Sequence, residues 1–70
     1  MRKMALEIEH ANGKIEKLRV SRSIAIMITQ RVVEDGWPYC GIKVNGSQLI
    51  SRDPCMSNVF RDTQGHEVIV

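Results

Sequence analysis

From Met4 to His10 the chain alternates, with Met4, Leu6 and Ile8 apolar and Glu7 and Glu9 charged between them. A period of two marks a strand with one buried face. The alternation returns between Lys14 and Val20, where Leu18 and Val20 are apolar and Lys17 and Arg19 charged. Asn12-Gly13 lies between the runs, and both residues tolerate the positive φ of a tight reversal. Parity then sets the loop length. A two-residue Asn12-Gly13 loop would place Leu6 against Arg19 and Ile8 against Lys17, mixing charge into the apolar face. A three-residue loop, Ala11 to Gly13, places Met4 against Val20, Leu6 against Leu18, Ile8 against Glu16 and Glu7 against Lys17. A slip of one residue flips the whole face, so the longer loop is predicted, with Gly13 as a left-handed bulge residue.

After Val20 the period changes. Ser21-Arg22-Ser23 is a helix-start signal and Gly36 a stop, which predicts a helix from Ile24 to Asp35. At 100° per residue Ile24, Ala25, Ile28 and Val32 share a face, opposite Gln30, Arg31 and Glu34. The β-branched residues in this run also suit a strand, but the cap, the stop and the period agree on helix. Ile26 and Val33 project away from the predicted face with Thr29 between them. Either a wide sheet covers them or they form an apolar strip for a partner.

Trp37-Pro38 breaks the chain, and Tyr39 to Val44 alternates with Cys40, Ile42 and Val44 on one side. A two-residue Asn45-Gly46 turn then sets Ile42 against Leu49 and Cys40 against Ser51. Asp53-Pro54 reads as a turn or a capped helical start. Val59 to Arg61 and His66 to Val70, joined through Asp62 to Gly65, read as a third hairpin. The expected architecture is a single small α+β domain over residues 1–70. Its order is β-β-α-β-β-β-β, an antiparallel sheet of hairpins with one amphipathic helix packed across it. The expected core is Leu6, Ile8, Leu18, Ile28, Val32, Ile42, Leu49 and Phe60.

Composition narrows the classes of function. Hydrophobic residues make up 43% of the 70, which argues against disorder, yet Trp37, Tyr39 and Phe60 are the only aromatics. A chain of this size forms a small core with no room for a deep cleft. The longest apolar run, Ile24 to Ile28, is far too short to span a membrane, and no apolar stretch follows Arg2-Lys3 as in a signal peptide. Two cysteines make no disulfide framework, and a reduced, cytoplasmic protein is expected. Asn45-Gly46-Ser47 matches a glycosylation sequon but reads as a turn.

No nucleophile elbow, phosphate-binding loop, dinucleotide fingerprint or metalloprotease helix occurs. His10 and His66 sit beside predicted turns without a marked partner, so no catalytic residue, enzyme activity or cofactor is expected. Cys40, Cys55, His10 and His66 contain the donor types of a zinc site, but the cysteines stand 15 apart and lack the usual knuckle spacing. Cys40 reads instead as a small buried hydrophobe, and no metal is expected. Glu7 and Glu9 share a strand face, and Lys17 opposite Glu7 accounts for them as a cross-strand ion pair.

Two binding surfaces remain. Trp37 and Tyr39 after the helix, joined by Ile26 and Val33, supply the anchors of a protein–protein contact. Lys14, Lys17, Arg19 and Arg22 on the first hairpin supply phosphate contacts for a nucleic acid. Glu7, Glu9 and Glu16 interleave with those cations, and the net charge is only +2. The primary expectation is a small, stand-alone, non-enzymatic protein acting stoichiometrically on a protein partner. Size, the lack of catalytic spacing and a chain opening at its own Met1 point that way, and size class alone extends this to an inhibitor of a host enzyme or defence complex, encoded by a phage or mobile element. A nucleic-acid-binding accessory protein is the alternative, and either form is compatible with a homodimer.

Overall fold

A computed structural model describes residues 3–36 and 39–70. It contains β1 (Lys3–His10), β2 (Ile15–Ser21), α1 (Arg22–Asp35), β3 (Tyr39–Val44), β4 (Ser47–Arg52), β5 (Val59–Asp62) and β6 (Glu67–Ile69). The six strands form one antiparallel sheet in the order β2-β1-β3-β4-β5-β6, and α1 packs across one face of it. This is the expected α+β order.

Each hairpin follows from its loop. β1 and β2 pair with Leu6 opposite Leu18, Met4 opposite Val20 and Glu7 opposite Lys17. The loop closes through His10 N donating to Lys14 O at 2.8 Å, and Gly13 takes φ 89°. The three-residue loop is confirmed, because only that register keeps the apolar residues of both strands on one face. Asn45 (φ 51°) and Gly46 (φ 88°) make the two-residue turn between β3 and β4, with Ile42 opposite Leu49. In the third hairpin Asp62 N donates to His66 O at 3.0 Å, which closes a second three-residue loop. The Asp53-Pro54 segment is a turn. Asp53 Oδ1 accepts from the N–H groups of Cys55 (2.8 Å) and Met56 (3.2 Å) without a helix following.

The core lies between α1 and the sheet and comprises Leu6, Ile8, Ala25, Val32, Ile42, Val44, Leu49, Phe60 and Val70. Met4, Leu18, Val20, Ile26, Ile28, Val33, Tyr39 and Val68 pack around its rim. Burying side chains of this size contributes about 1.5–3 kcal/mol each. Leu18 and Ile28, expected at the centre, lie in that half-buried rim.

The helix begins at Arg22, earlier than predicted, and buries a face rotated from the expected one. Ala25, Thr29 and Val32 are the buried positions, and Ile24 is 40% exposed. Thr29 reads as polar but buries fully, because its Oγ1 donates to Ala25 O at 2.7 Å and so leaves no unmet polar group. Three polar ties hold the helix in place. Arg22 Nε donates to Val70 O (3.0 Å), Gln30 Nε2 donates to Ser57 O (2.7 Å), and Glu34 pairs with Arg52.

Two bulges interrupt the alternation. Between β1 and β3, Glu9 pairs with Gly41 and His10 with Tyr39, so Cys40 is the extra residue. Cys40 is consequently exposed and not buried, and the expected pairing of Cys40 with Ser51 is absent from the ladder. Tyr39 turns towards the core instead, its ring centroid 5.3 Å from that of His10. Between β4 and β5 the register shifts between Leu49 and Ser51, leaving Ile50 as the extra residue. That shift carries Arg52 to the helix side of the sheet, within reach of Glu34.

Candidate functional site

The helix covers one face of the sheet, and the opposite face has no covering element among the described residues. Alternation assigns the side chains on that open face. β2 contributes Ile15, Lys17 and Arg19, and β1 contributes Ala5, Glu7 and Glu9. β3 contributes Gly41 and Lys43, and β4 contributes Gln48. The registers then place them in rows. Lys17, Glu7, Lys43 and Gln48 form one row, and Arg19 lies beside Ala5 in the next.

Glu7 therefore sits between two lysines. It pairs with Lys17 at 3.6 Å, and Lys17 is 77% exposed, so the contact is a weak solvated one. Charges of Arg19 and Lys43 remain without an acidic partner among the described ion pairs. Small residues make hollows in this face. One of about 380 Å³ lies over Ala5 between Lys17, Arg19 and Lys43. The other, about 280 Å³, lies at Gly41 between Ile15, Glu9 and Gln48. A Cβ added at Gly41 would lie 3.3 Å from Gln48 Nε2, the free end of that side chain. Ile15 is 51% exposed beside the second hollow. An open surface that mixes aliphatic side chains with unpaired cations suits a macromolecular contact more than a buried small ligand.

The expected anchors fall elsewhere. Trp37 lies outside the described residues. Tyr39 is half-buried against the core and His10, and Ile26 and Val33 are half-buried under the cover of the sheet. Of the four hairpin cations, Lys17 and Arg19 share the open face. Lys14 stands at the hairpin tip, and Arg22 is held on the helix by Val70 O. The structure adds Lys43, which sequence reading omits. Only the placement of β1 between β2 and β3 brings it into one row with Lys17, across Glu7, and no local signal in the chain carries that order.

His10 Nε2 lies 3.1 Å from Glu16 Oε1, and His66 Nδ1 lies 3.9 Å from Asp62 Oδ2. Cys40 and Cys55 are both exposed free thiols. Among the described residues no three His, Cys, Asp or Glu side chains gather closely enough to hold a metal ion. Among the described residues no helix is long and apolar enough to cross a membrane. Among family models, curated proteins and solved structures, none matches this chain.

Proposed function

We propose that this chain is a non-enzymatic binding module that engages a protein partner through the open face of its sheet. The observation that carries the reading is the cluster of Lys17, Arg19 and Lys43 around the Ala5 hollow, with exposed Ile15 at the second hollow of the same face. Cations of this kind steer an acidic partner and raise its on-rate, while the aliphatic side chains contribute apolar burial. Such a module acts stoichiometrically, as an inhibitor or accessory factor does. The proposed surface differs from the one expected around Trp37, Tyr39, Ile26 and Val33. A nucleic acid fits this face less well. Glu7 and Glu9 stand inside it, and the described aromatics, Tyr39 and Phe60, face the core and offer no stacking platform.

The test is capture of partners from a lysate on the immobilised protein, with and without nuclease. Lys17→Glu with Arg19→Glu is expected to weaken capture at least about tenfold, and Tyr39→Ala to leave it nearly unchanged where folding is intact. Capture that disappears with nuclease would replace this reading by the nucleic-acid alternative. Capture lost only in Tyr39→Ala, at constant stability, would return the site to the helix C-terminus.

A further inference from the structure

β2 is an edge strand, and among the described residues its single neighbour is β1. It runs seven residues, and its register with β1 is unbroken from Ser21 to Ile15. In an antiparallel ladder, alternate residues turn their N–H and C=O groups to opposite sides. The loop closes at His10 and Lys14, so Glu16, Leu18 and Val20 direct theirs to β1. Ile15, Lys17, Arg19 and Ser21 direct theirs outward into a vacant lane. We propose that this lane accepts an extended acidic segment of the partner protein as a seventh strand, its residues alternating between acidic and apolar. The proposal rests on the reading of the open face as a protein-binding surface, and specifies how the partner docks.

Charge selects the occupant. On the open side of the lane stand Lys17 and Arg19, with Lys43 two strands in. On the helix side stand the half-buried Leu18 and Val20, below a helix on which Ile24 and Met27 are 40% and 52% exposed. Strand side chains alternate faces, so an incoming strand meets cations with one set of residues and apolar surface with the other. A second copy of this chain is a poor occupant. Antiparallel pairing of two β2 edges about a two-fold axis puts Lys17 opposite Lys17 or Arg19 on one face, and like charges directly opposed are destabilising. The other sheet edge, β6, has three residues and carries Glu67, so it offers neither the length nor the charge.

The probe is a blocked peptide of alternating glutamate and valine, about eight residues long to match β2. A lysine–valine peptide of the same length serves as control. Amide hydrogen exchange, read residue by residue in the full chain, distinguishes strand addition from binding on the face. The glutamate peptide is expected to slow exchange at the outward amides of Lys17 and Arg19 by about tenfold or more, and the lysine peptide to leave them unchanged. Lys17→Pro should then bind the glutamate peptide more weakly than Lys17→Ala. Both lose the charge, but only proline loses the outward N–H, at an edge position where proline is tolerated. Binding of the glutamate peptide without added protection at Lys17 and Arg19 would overturn strand addition while leaving the face as the binding surface. Equal protection by both peptides would overturn the acidic partner. No binding of the glutamate peptide up to about millimolar concentration would overturn the proposal outright. Failure of the underlying reading shows separately, as lysate capture insensitive to Lys17→Glu with Arg19→Glu.

Discussion

Phe60→Ala is expected to cost about 3–5 kcal/mol. Phe60 is fully buried and is the largest of the wholly enclosed side chains. It sits on β5 opposite Arg52 and Val68, with ladders on both sides that hold its neighbours in place. The space left by its ring therefore collapses only in part. A small domain has stability near the low end of about 5–15 kcal/mol, so this one truncation removes much of it. Urea denaturation checks the result through the midpoint, at unchanged slope. Leu18→Ala and Ile28→Ala remove side chains that are only half-buried, and are expected to cost about 1–2 kcal/mol. A midpoint for Phe60→Ala no lower than theirs would mean that the centre of the core lies elsewhere.

Leu6→Ala is expected to be the next most damaging change, at about 2–5 kcal/mol. Leu6 is 1% exposed and sits on β1 between Leu18 of β2 and Val44 of β3. Ladders on both sides hold those neighbours in place, so the space it leaves collapses only in part. Urea denaturation again reads the loss, and a midpoint no lower than that of Leu18→Ala would mean that β1 does not carry the core. Deleting the exposed Ala11 is the contrast. It leaves Asn12-Gly13 to close His10 against Lys14 as a two-residue turn, so every pairing from Met4–Val20 to Ile8–Glu16 is kept. The deletion is expected to cost less than about 1 kcal/mol.

Part of this fold is legible in the chain and part is hidden. The first hairpin could be read to the residue, because Leu6, Ile8, Leu18 and Val20 make one parity favourable and the other costly. The Asn45-Gly46 turn was equally plain. The bulges were not. Strict alternation from Tyr39 to Val44 would bury Cys40, and the extra residue that exposes it leaves no mark except Gly41 next to it. An isolated glycine inside a strand is the signal that points to such a bulge. The helix face was misplaced for another reason. Thr29 counts as polar in any periodicity, yet its hydroxyl is satisfied by the turn before it and its methyl can be buried. As for the candidate site, Lys17 and Arg19 stood out as hairpin cations. Lys43 did not, because neighbourhood across a sheet depends on strand order, and order is a long-range property.

That order has a kinetic side. β1 opens the chain but lies inside the sheet, between β2 and β3. The other four ladders join strands that are consecutive in the sequence, whereas the β1–β3 seam, where Leu6 meets Val44, closes over the hairpin and the whole helix. Hairpins form in about 1–10 μs on their own. The seam must wait for a long segment to be gathered first, and that entropy is lost before any contact repays it. The barrier to folding is accordingly expected at this seam, where Ile8 and Ile42 face each other. Substitutions there should act on the rate of folding, and substitutions in the β5–β6 hairpin on the rate of unfolding.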